Sequence, residues 1–519
     1  MKIVKVLGCF AAVLCLFAFP AFSQDNPESV MHGASVIHAI HSDISPALRD
    51  IPPASNDAGV KRVVPNRPLN LPPGQQGRDT VVQAAQGPLV SATAGLNFDG
   101  IAHGNYAPPD TNGDAGLTLY GQVVNVQIQW FNKSNGSSYY GPVNTSTLWS
   151  GFGGGCQTNN DGDAVIKYDK AADKWVVTQF SVSTTPYLEC VAVSTTNDPK
   201  GTWARYAFSQ PNFNDYPKMS VWPDAYYITY NMFTNTFQGG RVCAMDRTKM
   251  VAGDLSATQV CFQLSTSYGG LLPADLYGST TPPAGTPNYV MNFGSNKLNL
   301  WKFHVDFATP ANSTFTGPTA ITVASFTSAC GGGTCIQQSG TNNKLDSLAD
   351  RLMNRLVYRN LGTSESLLVN HSVKTGGSKR SEIDGVRWYE LRLTGGNASV
   401  YQQGSFSPDS TSRWMGSIGM DKNGNIAIGY SASSSALKPS IRYTGRAPGD
   451  ALGTMQSEAT VITGGGSQTG SLHRWGDYSS MSIDPSDDCT FWFTTEYIPS
   501  NGTFNWKTRI NSFKMNGCQ

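Results

Sequence analysis

"NDYPKMSVWPDAYYITYN", residues 214–231, has an echo near the other end of the chain in "GDYSSMSIDPSDDCTFWFTTEY", residues 476–497. In both, Asp-Tyr is followed after two residues by Met-Ser, a β-branched residue and then a Pro. Asp215, Tyr216, Met219, Ser220, Val221 and Pro223 match Asp477, Tyr478, Met481, Ser482, Ile483 and Pro485. The first stretch then runs into alternating aromatic and polar positions, the period of a half-buried strand. A motif that recurs so far away, each time opening a strand, marks a repeated structural unit.

Five further stretches share the plan of polar loop, strand, tight turn and second strand. They are "TNGDAGLTLYGQVVNVQIQWF", "NDGDAVIKYDKAADKWVVTQF", "TPNYVMNFGSNKLNLWKF", "ADRLMNRLVYRNLGTSESLLVNHSV" and "SRWMGSIGMDKNGNIAIGYS". In chain order the units are anchored near Asp114, Asp163, Asp215, Tyr289, Asp350, Met415 and Asp477. A lone hairpin cannot bury both faces, but twisted sheets stacked radially can. The spacing fits four-stranded propeller blades with insertions. The expected fold is all-β, a seven-bladed β-propeller. Six or eight blades stay open, because the fourth unit is the weakest.

Composition agrees. The 519 residues include Gly 54, Tyr 21, Phe 23 and Trp 11, with only 14% charged residues, the profile of a loop-rich, aromatic-rich β protein. A net charge of +1 gives no electrostatic case for nucleic acid or an anionic membrane. "MKIVKVLGCFAAVLCLFAFPAFSQ" reads as a signal peptide over residues 1–23, so the mature chain is expected to be secreted or periplasmic. No later stretch is apolar enough to span a membrane. Residues 24–95, rich in Pro, Asn, Gln and Ser, read as a mostly disordered leader or propeptide, with "SVMHGASVIHAIHSDISPALRD" a candidate short helix; residues 96–519 read as the propeller. Eight cysteines remain after the signal, an even number in an oxidising compartment. They are expected to pair as sequence neighbours: Cys156 with Cys190, Cys243 with Cys261, Cys330 with Cys335, and Cys489 with Cys518.

The motifs "YAPPDTNGDAG", "NDGDAVIKYDKAADKWVVTQF", "NDPKGTWARYAF", "NDYPKMSVWPDAYYITYN", "LDSLADRLMNRLVYRN" and "RWGDYSSMSIDPSDDCTFWF" resemble those of a family of secreted bacterial proteins, over nearly everything from about residue 98 to Cys518. The resemblance implies an extracytoplasmic, propeller-like protein. It transfers no catalytic residues.

In a propeller the loops leading into the innermost strands converge on one face, so matched positions become neighbours. Asp114, Asp163, Asp215, Asp350 and Asp477 are expected to form part of a ring, joined by Arg351, Arg413, Arg474, Tyr216 and Tyr478. Aromatic rings that stack on sugar faces, beside charged groups that make bidentate hydrogen bonds, suit a polysaccharide or cell-surface glycan. Asp163, Asp215 and Asp477 are the candidate catalytic carboxylates. His473, in "LHRWGDYSS", is the candidate acid or base because imidazole titrates near neutrality. The same Asp residues also suit a repeated turn device that caps backbone N–H groups.

"DTNGD" places Asp110, Asn112 and Asp114 at alternate positions, like the start of a calcium loop. Ala115 and Gly121 stand where an EF-hand needs Gly and Glu, which leaves only a looser structural Ca²⁺ site as the cofactor reading. Two functions follow. One is a glycan-binding or glycan-processing propeller, including a carboxylate-dependent glycoside hydrolase. The other is a non-catalytic binding or adhesion propeller for a protein or cell-surface partner. Salt-bridged carboxylates would favour binding over hydrolysis.

Overall fold

The computed structural model describes residues 1, 30–31, 33–54, 61–69, 77–102, 105–378 and 381–519. The expected signal peptide lies outside the described residues, save Met1. From Asn112 onward the chain forms four-stranded antiparallel units in sequence order. The first comprises Asn112–Ala115, Leu119–Val124, Gln127–Asn132 and Ser138–Asn144. The innermost strands of the next six are Val165–Asp169, Phe213–Val221, Leu272–Tyr277, Met353–Asn360, Ser412–Met420 and Ser480–Ile483. Each innermost strand lies against the next, and the last returns to the first, closing a ring. Those of the fourth and fifth units hydrogen-bond directly in parallel, Ala274 opposite Leu356. The architecture is a β-propeller around a central channel.

The aromatic residues supply the mortar. All eleven tryptophans are buried. Trp130 of the first unit meets Trp175 of the second edge-on at 6.1 Å, and Tyr120 of the first stacks on Trp492 of the seventh at 5.3 Å. Met219 and Met481 are both buried, as befits unbranched side chains filling gaps between neighbouring sheets. Burying such a side chain contributes about 1.5–3 kcal/mol, so the contacts between units hold the ring together.

The segment before residue 96 departs from expectation. Ser35–Ile44, read as a candidate helix within a disordered leader, is a strand. It sits between the outermost strands of the second and third units, Ala39 opposite Phe208 and Val36 opposite Val260, and joins both into one nine-stranded sheet. Most of its side chains are exposed or half-buried, so it is bound by its backbone, and it covers two sheet edges that would otherwise stay unpaired. Val82–Gln83 pairs with the outer edge of the fifth unit. Ala92–Ala102 pairs antiparallel with Lys507–Met515 and supplies the fourth strand of the seventh unit. The ring is therefore closed by strand exchange between the two ends of the domain.

The four expected disulfides are all formed. Cys243 and Cys261 face each other on adjacent strands, and Cys489–Cys518 ties the start of the strand Thr490–Tyr497 to the end of the chain. These four bridges are consistent with an extracellular or periplasmic protein. No helix among the described residues is long and apolar enough to cross a membrane.

Candidate functional site

The inner strands run between two mouths of the channel, an upper one where they begin and a lower one where they end. At the upper mouth six of the seven units carry a left-handed residue two or three positions before the strand ladder starts or resumes. These are Asp110 (φ 53°), Asp163 (46°), Tyr216 (55°), Gly270 (60°), Met415 (54°) and Asp477 (57°). Glycine adopts this conformation freely and Asp tolerates it, whereas Tyr and Met are strained there. The recurrent Asp is thus partly a turn device. The structure also corrects two anchors: Asp110 rather than Asp114 holds this position in the first unit, and Tyr289 lies in the second strand of the fourth unit.

Behind these turns lies a buried charged cluster. The Asp110 carboxylate accepts from Asn125 Nδ2 at 2.8 Å, and Asp163 accepts from the Tyr478 hydroxyl at 3.0 Å. Tyr216 donates to the Asp477 carbonyl at 3.2 Å. Lys218 Nζ sits 3.1 and 3.2 Å from the ring centroids of Tyr216 and Tyr478, enclosed by both. Arg351 lies over the Tyr216 ring at 4.5 Å and pairs with Asp350 at 2.7 Å. Arg474 forks onto Asp346 and Asp477.

Burial dominates the titration of this cluster. It raises Asp110, which the Asp163 and Asp477 charges raise further, and it raises Asp163 against the opposing pull of Lys218 and the Tyr478 hydrogen bond. It pushes Asp215 and Asp346 up to about 7 and lowers the Lys218 ammonium well below its ordinary value.

Asp163, Asp215, Asp350, Asp477, Tyr216, Tyr478, Arg351 and Arg474 lie together at the upper mouth, with Asp110 in the place expected of Asp114, which turns instead to Lys167 and Arg355; other candidates lie elsewhere. Arg413 is committed to Asp409 and Glu458 in the sixth unit. His473 is exposed, its Nδ1 paired with the Lys344 carbonyl. The three residues of the calcium reading have separate partners: Asp110 turns to Asn125, Asn112 bridges the Ala164 carbonyl and the Ile166 N–H, and Asp114 turns to Lys167 and Arg355. Asn112 and Asp114, inside the strand, are thus engaged by the second and fifth units. A different group could hold a metal ion: Cys330, Cys335, Glu382 and Asp384, with ligand atoms within 4.8 Å of one another. Its two sulfurs are joined in a disulfide, which withholds them as thiolates.

The lower mouth opens into a cavity of about 370 Å³. Its floor is an interlocked set from four units. Lys167 Nζ bridges Asp114 at 2.8 Å and Asp275 at 2.6 Å, and Arg355 reaches Asp275 at 3.1 Å and Asp114 at 3.4 Å. Tyr168, Trp222 and Tyr277 line the walls. Arg247 pairs with Asp169 at 2.7 and 2.9 Å, and Lys170 donates to the Leu276 carbonyl at 2.7 Å. Burial lowers the Lys170 ammonium to about 8. Between the mouths the channel narrows around Ile166, Lys218, Met219 and Arg355.

The sequence reading named Asp114 but missed Lys167, Asp275 and Arg355 of this floor, and Lys218 and Asp346 above it. One signal was present. Lys167 is a lone charge among the apolar residues of "AVIKY", and a lysine inside a buried strand needs a paired carboxylate.

No protein-family model matches the chain, and no curated protein does. Solved structures with a similar arrangement include the polysaccharide lyase Uly1, with 9% identity and a TM-score of 0.37, covering 94% of this chain and 100% of that one. The GH93 α-L-arabinofuranosidase of Fusarium graminearum shows 11% identity and a TM-score of 0.30 over 72% of this chain and 98% of that one. The WD40 domain of SCAP from fission yeast shows 9% identity and a TM-score of 0.30 over 76% and 81%. Likenesses of this size carry no functional argument.

Proposed function

We propose that the protein is an exported propeller that binds an uncharged glycan in the cavity at the lower mouth and does not cleave it. The observation that carries this reading is the make-up of the cavity. Aromatic side chains from three units stand over a polar floor in a concave space of a size suited to a small ligand. The lining cations Lys167, Lys170, Arg247 and Arg355 are matched in number by Asp114, Asp169, Asp275 and Asp488. A balanced set offers hydrogen bonds without attracting net charge, which favours a neutral sugar over an acidic polysaccharide.

The same floor argues against hydrolysis. One ammonium bridges Asp114 and Asp275, which brings them as close as a glycosidase pair. Such a pair needs one member held protonated as the acid. Burial pushes Asp114 up, but Arg355 and Lys167 outweigh it and hold the carboxyl below the usual range. Asp215 and Asp346 have the raised values of an acid but lie at the upper mouth, away from this cavity, Asp346 buried and Asp215 half-buried.

The test is calorimetric titration with neutral and uronic-acid oligosaccharides, paired with an assay for new reducing ends. Saturable binding of neutral oligosaccharides at least tenfold tighter than of acidic ones, with no new reducing ends, is the expected result. New reducing ends that disappear in Asp114→Asn would overturn the reading in favour of hydrolysis. Absence of binding to both panels would overturn the glycan assignment.

A further inference from the structure

The upper mouth is crossed by residues 62–69, "RVVPNRPL". Arg62–Val63 pairs in parallel with Tyr106–Ala107 on the first unit. The Val64 carbonyl then accepts from Arg474 Nε at 2.8 Å on the seventh, and the Arg67 carbonyl lies 3.5 Å from Arg351 Nη2 on the fifth. The Arg67 guanidinium sits 4.6 Å from the ring centroid of Phe213 and 5.7 Å from that of Phe233 on the third unit. Leu69 is 1% exposed, packed with Phe233 and Phe237 and against Gly270 at the start of the fourth unit. One short segment therefore touches five units, across the cluster the sequence picked out as the functional face.

Its contacts are those of a ligand in a groove. Arg62, Val63, Pro65, Arg67 and Pro68 are exposed, and Leu69 alone enters a pocket. Two guanidiniums of the ring address main-chain carbonyls, groups that any extended peptide presents. Pro65 and Pro68 bias the segment toward an extended form with little ordering cost, the economy on which proline-rich recognition rests. The Arg67 charge also acts on Asp215 beneath it.

We propose that the upper mouth is a recognition groove for an extended peptide of the pattern Arg-Pro-Leu, and that residues 62–69 are its resident intramolecular ligand. The groove reads a leucine in the Phe233–Phe237 pocket, an arginine stacked on Phe213, and two carbonyls held by Arg351 and Arg474. Displacing the segment uncovers Asp215 and both arginines. A tethered ligand acts at an effective concentration in the millimolar range, so a free peptide competes poorly until the tethered copy is weakened.

The experiment adds a fluorescent peptide of the Arg62–Leu69 sequence to the full chain and to a full-length Arg67→Ala/Leu69→Ala variant, with anisotropy as the readout. The variant is expected to bind the peptide at least tenfold more tightly than the wild type, and a peptide carrying the same two alanines is expected not to bind. Equal binding by the two proteins, or none by a variant that still melts cooperatively, would overturn the proposal. Should the variant not fold, hydrogen exchange on the wild type decides. Opening of the Val64 and Leu69 amides while the inner strands stay protected supports a displaceable ligand. Exchange of these amides only together with the inner strands sinks it.

Discussion

Replacing Lys167 with methionine tests the floor of the lower cavity. The side chains of Lys167, Asp114 and Asp275 are each less than a tenth exposed, and the ammonium lies within 2.8 Å of both carboxylates. Methionine keeps most of the apolar stem but leaves two buried carboxylates facing one guanidinium, Arg355. Breaking a buried pair from one side costs about 3–5 kcal/mol, because the remaining charge is desolvated without compensation. Adding Asp275→Asn removes the surplus charge while keeping an oxygen for the Val221 N–H, which donates to Asp275 Oδ1 at 3.0 Å. The double variant should recover most of the loss.

The deficit should also depend on pH. Without the ammonium, the folded-state pKa of a floor carboxylate rises above its unfolded value. The penalty is then fully present above the raised pKa and shrinks as pH falls toward the unfolded one. Urea melts of the wild type, both single variants and the double variant at pH 5 and 7.5 give the coupling energy. A single variant that costs less than about 1 kcal/mol, or a double variant whose cost is the plain sum of the singles, would refute the reasoning.

Met219→Ala and Met481→Ala should each cost about 2–5 kcal/mol in chemical denaturation, since both side chains are buried between units and neither contributes a charged group. Asp215→Asn should flatten the pH dependence of stability: with the folded carboxyl raised to about 7, the wild type loses stability as pH rises from about 4 to 7, and the amide does not. Cys489→Ser/Cys518→Ser should lose about 3 kcal/mol relative to the oxidised wild type, the bridge spanning 29 residues; unchanged thermal melts would show that Ala92–Ala102 alone secures the closure. Asp477→Ala should be less stable than Asp477→Gly by about 1 kcal/mol, since both lose the carboxylate but only alanine strains the left-handed turn at φ 57°.

The sequence announced what is repeated and concealed what is not. Asp-Tyr followed by Met-Ser recurs because two inner strands meet the same demands, a carboxylate and a ring at the mouth and an unbranched side chain between sheets. The cysteine pairs were legible because each spans no more than 34 residues, less than one unit's repeat. Ser35–Ile44 was not, because a strand held on an outer rim by its backbone needs no apolar periodicity. The inner strand of the fourth unit, "LPADLY", is short and lacks the aromatic alternation of its counterparts, which drew the anchor to Tyr289 in the next strand. The lower floor escaped for a third reason. Lys167, Asp275 and Arg355 each read as one charge within a strand, and only the closure of the ring makes them partners.

The two mouths also divide the work that one set of residues was expected to do. Three of the left-handed turns at the upper mouth use Asp, and two of the remaining ones place Tyr216 and Met415 in the strained form of the same turn. Had the position been selected for the turn alone, glycine would serve throughout, as it does at Gly270. Retaining Asp110, Asp163 and Asp477 costs desolvation, which Asn125, Tyr478 and Arg474 offset with directed hydrogen bonds. The first and last of these bonds stay within their own units, and the one to Tyr478 joins two. Asp163 of the second unit is tied to Tyr478 of the seventh, and the Tyr478 hydroxyl also lies 3.2 Å from the Pro217 carbonyl of the third. The upper cluster is therefore a buried ring clamp. It ties the second, third and seventh units at the upper mouth, while Lys167, Asp275 and Arg355 tie the second, fourth and fifth at the other end of the inner strands, where the open cavity lies.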